Sequence, residues 1–176
     1  MDLDIDKAQM KDIDEVEKLY NDVCDSLSEK KDSAGWTKGD YPTKNEALEF
    51  FANDALYVAK SGGKIVGTIA LTHKPDSDLK SASSFVESDY VDVFFVRVFA
   101  VHPDYLHKGI GTAILKFSEE RGRQEDIKFI RLCVYEYNLT AIKIYEKNGY
   151  KRIDKVDLGL AKYGLNWFYL YEKLLM

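Results

Sequence analysis

The stretch that decides the fold is Val101-His-Pro-Asp-Tyr-Leu-His-Lys-Gly-Ile-Gly-Thr-Ala-Ile-Leu115. An apolar run typical of a strand precedes it, and apolar residues at helical spacing follow it. Gly109 and Gly111 stand at the junction. Glycine at a helix start lets a ligand approach the backbone closely, and the N–H groups of a first helical turn attract an anion. The junction therefore predicts either a phosphate-binding helix N-terminus or a tight turn without a ligand.

Two other phosphate-binding motifs do not match this sequence. A Walker loop requires Gly-Lys followed by Ser or Thr, and a dinucleotide-binding fingerprint requires a further Gly or Ala three residues after the second glycine. Gly111 is followed here by Thr-Ala-Ile, so neither pattern is complete. Lys108, and His107 when it is protonated, add positive charge beside the glycines, which favours an anionic ligand.

The patterns around this junction predict a mixed sheet. Residues 91–101 form a predicted strand, residues 109–124 a helix and residues 127–135 another strand. Such a unit joins two parallel neighbours through a right-handed crossover. Residues 55–60 and 64–72 are predicted to be an antiparallel hairpin, because a Ser-Gly-Gly turn joins them.

The remaining predicted elements are strands at 3–8, 150–156 and 166–173 and helices at 12–28, 43–52 and 139–147. Thr43 and Glu46 have the spacing of a capping box, Asn138 is a suitable N-cap, and Gly149 suits the end of the last helix. Together these elements predict an α/β (α+β) fold. Its mixed, mostly antiparallel sheet has about seven strands, with a parallel pair at the fourth and fifth, flanked by about four helices.

Composition and charge exclude several classes of protein. The chain has 176 residues, of which 45% are hydrophobic and 31% charged, as expected for a single globular domain over residues 1–176. Its net charge is −5 and it has no long Lys/Arg block, which excludes a nucleic-acid partner. No apolar run reaches membrane-spanning length and the first residues are acidic, which predicts a cytoplasmic protein with no membrane partner. Cys24 and Cys133 have no metal-like spacing and are predicted to be small buried hydrophobes.

Two blocks of sequence resemble the acetyl-CoA-binding motifs of the GNAT N-acetyltransferase superfamily. The first block is residues 97–115 and the second is residues 138–150. The second block matches the family's Asn…Ala…Tyr…Gly-aromatic pattern at Asn138, Ala141, Tyr145, Gly149 and Tyr150. The order of the elements along the chain is also similar. The resemblance implies the GNAT fold and a bacterial-type N-acetyltransferase that uses acetyl-CoA and acts on a small molecule or a protein.

The resemblance also implies a role for each motif residue. The helix N-terminus would hold the pyrophosphate of coenzyme A through His107, Lys108, Gly109, Ile110, Gly111 and Thr112. The pantetheine arm would pair with the preceding strand at Phe99, Ala100 and Val101, and Asn138 and Ala141 would contact it from the other side. Tyr145 would be the general acid that protonates the departing thiolate. The alternative is that Tyr145 only belongs to the buried face of its helix.

Two aromatic residues in a polar loop, Trp36 and Tyr41, are candidates for the acceptor-binding site, because aromatic rings attract amine cations. The long polar loop at residues 75–90 is a further candidate. Trp36 is alternatively a residue that tethers its own loop to the core.

Two positions depart from the family pattern. Some family members use a carboxylate of the fourth strand as general base, but this chain has Arg97 near the matching position, and Arg cannot accept a proton. Leu106 stands where the family prefers Gln or Arg. The candidates for the base are Glu46, Glu49, Asp92 and His102, each of which is also explained as a solvated or capping residue.

Three functions are consistent with these observations. The first is direct transfer of an acetyl group from acetyl-CoA to a primary amine, with no metal and no covalent intermediate. The second is a non-catalytic acyl-CoA-binding sensor or partner module with the same fold. The third, a structural protein without a coenzyme A site, requires both motif blocks to be accidental. The sequence leaves open the acceptor and whether the chain is a monomer or a homodimer.

Overall fold

The computed structural model describes residues 2–28, 35–75 and 90–175. Its main elements are β1 (Asp4–Lys7), α1 (Ile13–Ser28), α2 (Lys44–Ala52), β2 (Leu56–Ser61), β3 (Lys64–Thr72), β4 (Val93–Val101), α3 (Ile110–Gln124), β5 (Phe129–Tyr135), α4 (Leu139–Lys147), β6 (Lys151–Val156) and β7 (Phe168–Leu174). The seven strands found in this part of the chain form one sheet in the order β1-β2-β3-β4-β5-β7-β6. β4 and β5 pair in parallel, and the other neighbours pair antiparallel. The predicted mixed sheet with a parallel fourth and fifth strand is confirmed.

Three strands, β4, β5 and β7, begin two residues later than the sequence indicates, and for β4 and β5 the neighbouring contacts show why. β4 starts at Val93 because Tyr90–Asp92 form a short 3-10 turn. β5 starts at Phe129 because the preceding residue, Lys128, donates its N–H to the Asp92 carbonyl at 2.8 Å. This bond joins segments that are distant in sequence, so local periodicity does not reveal it.

Local sequence accounts for the helices. The buried side chains of α1 recur at helical spacing and are Ile13, Val16, Leu19, Tyr20 and Cys24. α2 begins with the predicted capping box, in which Thr43 Oγ1 accepts the Asn45 N–H at 3.2 Å and the Glu46 carboxylate accepts the Thr43 N–H at 2.6 Å. α4 is followed by Gly149, whose φ of 83° lies in the left-handed region that ends many helices.

The sheet is covered by helices on both faces. α1 and α2 pack on one face through a core that includes Val16, Phe50 and Val98, and this is the α1/α2 face. α3 and α4 pack on the other through a core that includes Ile114 and Ile142, and this is the α3/α4 face. A smaller apolar cluster covers the C-terminal strands and contains Val156, Leu158, Phe168 and Leu170.

The parallel pair is short and leaves a gap in the sheet. β4 and β5 pair from Val93–Phe95 to Phe129–Arg131, and the pairing then stops although both strands continue. We call the region between the unpaired ends of these strands the gap. Its backbone groups have no ladder partner in the opposite strand, so an extended ligand has hydrogen-bonding groups to meet there.

A bulge in β4 lies beside the gap. Thr68 of β3 is opposite Ala100, whereas Ala70 is opposite Arg97, so two residues of β4 face one of β3. Val98, inside the bulge, has a φ of 41°, which is rare for a β-branched residue. Thr68 Oγ1 donates to the Val98 carbonyl at 3.1 Å and holds this conformation. Because a bulge bends its strand, this one turns the end of β4 relative to its neighbours.

The sequence also led to expectations about the polar loops, the two cysteines and membrane-spanning segments. Parts of both predicted polar loops, residues 29–34 and 76–89, lie outside the described residues. Cys24 is buried as predicted, whereas Cys133 is only half-buried, and neither forms a disulfide. No helix in the described parts of the chain is long and apolar enough to cross a membrane.

Candidate active site

The N-terminus of α3 presents backbone N–H groups without a partner among the described residues. Gly109 is the N-cap residue and has a φ of 81°, and a Cβ at this position would meet no described atom within 4 Å. The N–H groups of Ile110, Gly111 and Thr112 donate to no other described residue. Unpaired N–H groups at the positive end of a helix dipole, next to open space, fit a phosphate group. The residues present therefore fit the predicted pyrophosphate site.

Gly111 has a different structural role from Gly109. A Cβ on Gly111 would come within 2.5 Å of Ile144 Cδ1 and 3.4 Å of Phe99 Cζ. Its missing side chain therefore lets α3 pack closely against α4 and β4, while the Gly111 N–H still faces the helix N-terminus. The two glycines look alike in the sequence. Gly109 allows a left-handed backbone conformation, whereas Gly111 allows close packing of the helix.

The other residues of this loop are held by the turn before it. Lys108 Nζ donates to the Asp104 carbonyl at 2.8 Å and lies 4.7 Å from the centre of the Tyr105 ring. His107 is exposed and has a φ of 62°. The Leu106 N–H donates within the turn, to the Pro103 carbonyl at 3.3 Å. The Leu106 amide is thus already used, and the free amides of this segment come after it.

Tyr145 lies on α4 within a cluster of aromatic rings. Its ring centre is 5.9 Å from that of Phe99, 5.8 Å from that of Tyr150 and 6.3 Å from that of Tyr171. Burial raises the pKa of Tyr145, so its phenol keeps its proton at neutral pH. No hydrogen bond joins its hydroxyl to the rest of the described chain. The structure therefore places a protonated hydroxyl with an open donor position beside β4, on the α3/α4 face.

The remaining residues predicted to contact the cofactor belong to the end of β4 and to the start of α4. Phe99 and Val101 are half-buried and pack on the α3/α4 face, and Ala100 between them is buried. Asn138 Oδ1 accepts the Ala141 N–H at 3.2 Å and so caps α4. This bond leaves the Asn138 side-chain NH₂ free to donate to another group.

Trp36 and Tyr41 lie together with Tyr20, a buried residue of α1. The Trp36 ring centre is 6.3 Å from that of Tyr41 and 6.4 Å from that of Tyr20, both in edge-to-face geometry. Tyr20 is fully buried, and burial raises its pKa although the neighbouring Thr68 side chain opposes that rise. Trp36 is thus anchored on the α1/α2 face. Nothing in the sequence distinguishes Tyr20 from its neighbours on the buried stripe.

Two of the carboxylates that were candidates for the general base are engaged elsewhere. Glu46 accepts both the backbone N–H and the hydroxyl of Thr43 at 2.6 Å. Asp92 forms an ion pair with Lys128 at the start of β5. Glu49 is exposed on α2. Glu46 and Asp92 therefore have a structural role that explains their presence.

His102, another candidate for the base, is held at both ring nitrogens. Its Nδ1 accepts the Asp104 N–H at 3.1 Å, and its Nε2 lies 3.3 Å from the Asp22 carboxylate on α1. A neutral ring in this geometry carries its proton on Nε2 and has no lone pair left for an amine. His102 thus connects α1 to the loop before α3.

Arg97 projects from β4 on the α1/α2 face. Its guanidinium carbon lies 5.9 Å from the centre of the Phe50 ring on α2, and the residue is half-buried. No group of three or more His, Cys, Asp and Glu side chains arranged to hold a metal ion occurs in the parts of the chain that the structure describes.

Comparison with known proteins gives a family match and several relatives. The family model described as "Acetyltransferase (GNAT) family" matches residues 16–150. The S-(2-succino)cysteine N-acetyltransferase of Bacillus subtilis (strain 168) is 31% identical over 114 residues, which cover 64% of this chain and 64% of that protein. The uncharacterized protein YxbD of the same organism is 44% identical over 56 residues, covering 32% of this chain and 35% of that protein. The chain spans less than two thirds of the length of the curated relatives it matches.

Solved structures share the fold. A GNAT-family acetyltransferase from Streptococcus agalactiae 2603 has a TM-score of 0.82 at 19% identity, over 98% of this chain and 95% of that chain. A GNAT-family acetyltransferase from Streptococcus pneumoniae has a TM-score of 0.72 at 23% identity, over 99% of this chain and 100% of that chain. At these identities the likeness establishes the common architecture.

Proposed function

The chain belongs to the GNAT acetyltransferase family, and from this premise we propose that it transfers the acetyl group of acetyl-CoA directly to a primary amine of a small molecule or a peptide. The observation that carries the proposal is the set of unpaired N–H groups at the start of α3, next to the unpaired end of β4. The start of α3 offers partial positive charge to the pyrophosphate of coenzyme A. The unpaired end of β4 offers backbone hydrogen bonds to the two amides of the pantetheine arm.

In this proposal the protein's own groups position the co-substrate. The backbone from His107 to Thr112 binds the pyrophosphate, and residues 99–101 of β4 pair with the pantetheine arm. The Asn138 side-chain NH₂ donates to the arm from the α4 side, because its oxygen is already occupied by Ala141. Bound acetyl-CoA supplies the activated acetyl group. The single domain over residues 1–176 would contain both binding sites.

Tyr145 supplies the proton that the departing thiolate requires. Its raised pKa keeps the phenol protonated, and its ring neighbours hold it beside Phe99 of β4. The attacking amine must lose its own proton. Glu46, Asp92 and His102 are engaged in other contacts, which leaves water or the exposed Glu49 as the proton acceptor. A backbone N–H near the end of β4 would stabilise the negative charge that develops on the acetyl oxygen.

The acceptor would bind on the α1/α2 face, near Trp36 and Tyr41. Aromatic rings attract amine cations, and the two rings are held in fixed contact with each other. The relative of known activity acts on S-(2-succino)cysteine, which supports amino-acid-like amines as the first class of acceptor to test.

Acetyl-CoA binding and amine-dependent release of free thiol test the proposal together. Titration calorimetry measures the first, and a thiol assay with a panel of amino acids, simple amines, polyamines and peptides measures the second. We expect binding together with thiol release that depends on an amine. Binding without release by any amine would favour the non-catalytic acyl-CoA sensor. The observation that supports this alternative is that Arg97 stands near the position at which some family members carry a carboxylate base. No binding would contradict both.

A further inference from the structure

The bulge in β4 has a side chain of the neighbouring strand bonded to it, and we propose that this residue, Thr68 of β3, is a positioning residue for the reaction. Its hydroxyl holds the bulge, and the bulge directs the end of β4 toward the co-substrate. The inference rests on the proposed function, because it assumes that acetyl-CoA pairs with the end of β4. It goes beyond that function by giving a buried side chain outside the binding motifs a part in the reaction.

The bulge reverses the alternation of side chains along β4. Val96 packs on the α3/α4 face, and Arg97 projects to the α1/α2 face. The next residue, Val98, packs on the α1/α2 face as well, so two consecutive side chains share one face. Phe99 and Val101 then pack on the α3/α4 face. In a regular strand, whose side chains alternate, Phe99 and Val101 would project to the α1/α2 face instead.

The backbone groups at the end of β4 follow from the register beyond the bulge. The His102 N–H donates to the Val66 carbonyl of β3 at 2.9 Å. Backbone groups alternate between the two sides of a strand, so those of Ala100 also point toward β3, whereas those of Phe99 and Val101 point toward the gap. The bulge therefore determines both the face and the direction in which the proposed partners of the pantetheine arm are presented.

The bulge requires a contact that holds it. Val98 has a φ of 41°, and a β-branched residue keeps such a conformation only where its surroundings enforce it. Thr68 Oγ1 donates to the Val98 carbonyl at 3.1 Å, and Thr68 is fully buried. Carbonyl groups of a regular ladder bond to backbone N–H groups, so loss of the bulge would leave the buried hydroxyl without this partner, which is costly.

Thr68 acts through β4, because it lies away from the proposed acid. Its partner on β2, Val58, packs on the α1/α2 face, whereas Tyr145 packs on the α3/α4 face. The Thr68 hydroxyl is buried, and it donates its proton to the Val98 carbonyl. A side chain in this state takes no part in proton transfer, so its contribution is the position of the strand.

The position of β4 should matter more for transfer than for binding. The pyrophosphate site is at the start of α3, which the bulge does not form. The negative charge that develops on the acetyl oxygen is stabilised only by a backbone N–H at the correct place, and a displacement of about 1 Å can slow a reaction by about 100-fold. Loss of the bulge should therefore lower kcat more than the affinity for acetyl-CoA.

The test replaces Thr68 by valine, which keeps the branched shape and removes the hydroxyl. We expect Thr68→Val to lower kcat for amine-dependent thiol release by about 10- to 100-fold and to weaken acetyl-CoA binding by less than about tenfold. Thr68→Ser, which keeps the hydroxyl, should retain most of the wild-type kcat. A purely structural role would lower the melting temperature without changing kcat. Wild-type kcat in Thr68→Val, or equal losses in the valine and serine variants, would overturn the proposal.

Ser118→Ala is the matched control, because Ser118 is another fully buried residue whose hydroxyl donates to a backbone carbonyl, that of Ile114 at 2.9 Å. It lies in the middle of α3 and should leave kcat unchanged. Circular dichroism and thermal unfolding show whether each variant keeps its fold. A loss of kcat in Ser118→Ala as large as that in Thr68→Val would assign both effects to general destabilisation and overturn the proposal.

Amide hydrogen exchange of the free protein separates the inference from the proposed function. We expect residues 98–101 to exchange at least about tenfold faster in Thr68→Val than in the wild type, while β5 is unchanged. Unchanged exchange would show that the hydroxyl does not hold the bulge, whatever the activity. If exchange rises but the wild type releases no thiol with any amine, the proposed transfer and the positioning role both fail, although the bond from Thr68 to the bulge is confirmed.

Discussion

Tyr145 is both a core side chain and the proposed acid. Its ring provides the packing, whereas its hydroxyl group would provide the proton. Tyr145→Phe keeps the ring packing against Phe99 and removes only the hydroxyl. We expect kcat to fall by about 100-fold or more, in the range of general acid catalysis. The acetyl-CoA affinity and the melting temperature should change little. Steady-state kinetics and titration calorimetry measure these quantities.

Tyr171→Phe is the control for that change, because Tyr171 belongs to the same aromatic cluster and its hydroxyl donates to Glu146 at 2.8 Å. Its loss should leave turnover nearly unchanged. A Tyr145→Phe variant with the turnover of the wild type would assign Tyr145 to the core alone.

Gly109 allows a second prediction for a single residue, because the chain contains a matched glycine, Gly63, in the turn between β2 and β3. Gly109 and Gly63 have φ angles of 81° and 79°, and both face open space where a Cβ would be. Alanine at either position should destabilise the fold by about 1–2 kcal/mol, the cost of a left-handed conformation. Only Gly109→Ala should also weaken acetyl-CoA binding, by about tenfold, because its methyl group enters the space beside the free amides.

Urea unfolding and titration calorimetry of the two glycine variants provide the comparison. Equal loss of cofactor affinity in both would mean that the effect comes from global destabilisation, and the helix N-terminus would then not be the binding site.

At the scale of elements, Asp12 fixes the start of α1 to β2. The residue is buried, and its carboxylate accepts bonds from Lys60 Nζ and from the Gln9 N–H, both at 2.8 Å. Burial alone would raise its pKa, but the bonds from Lys60 and Gln9 outweigh it and hold the pKa below its usual value. The stabilisation is therefore present above the unfolded pKa of about 3.9 and is lost as the pH falls through the lower folded pKa.

Asp12→Asn should therefore lower the free energy of unfolding by about 1–3 kcal/mol at neutral pH, since it removes the charge from two hydrogen bonds. The difference from the wild type should shrink in acid, where Asp12 is itself protonated. Asp14→Asn, which removes an exposed ion pair with Lys44, is the control and should cost at most about 1 kcal/mol. A pH-independent difference in urea unfolding would contradict the assignment.

The sequence predicts most elements because their signals are local. The capping residues Thr43 and Asn138 and the glycine after α4 lie within a few residues of the helix ends that they determine. Those helix boundaries could therefore be predicted from the sequence. The bulge at Val98 could not, because Val-Phe-Phe-Val-Arg-Val-Phe-Ala-Val resembles a uniform strand and the bulge depends on pairing with β3. The anchoring of Trp36 on Tyr20 and the packing of Gly111 on Ile144 likewise depend on contacts between distant segments.

At the scale of the whole molecule, burial of phenols predicts sensitivity to alkali. The tyrosines whose pKa is raised, chiefly by burial, are Tyr20, Tyr57, Tyr145, Tyr150 and Tyr171. The pKa of Tyr171 reaches about 12. Below pH about 10 the folded and unfolded states both hold these protons. Above it the unfolded chain releases them first, so stability should fall as the pH rises toward the folded pKa values.

Urea unfolding at several pH values between neutral and strongly alkaline, with tyrosinate absorbance as a second signal, measures this dependence. We expect the urea concentration at the midpoint of unfolding to decline only above pH about 10. The buried phenols should ionise cooperatively, as the chain unfolds, rather than gradually. Tyrosinate formation at the ordinary pKa without loss of structure would mean that these hydroxyls are accessible to solvent.

The gap between β4 and β5 leaves the sheet with few cross-strand hydrogen bonds at its centre. Three residue pairs join the two strands, whereas seven join β5 to β7. A ligand that fills the gap stabilises the folded chain by an amount that grows with the logarithm of its concentration. Under the proposed function, that ligand is a central metabolite, so the cell's acetyl-CoA supply would set how long each copy of the protein survives proteolysis.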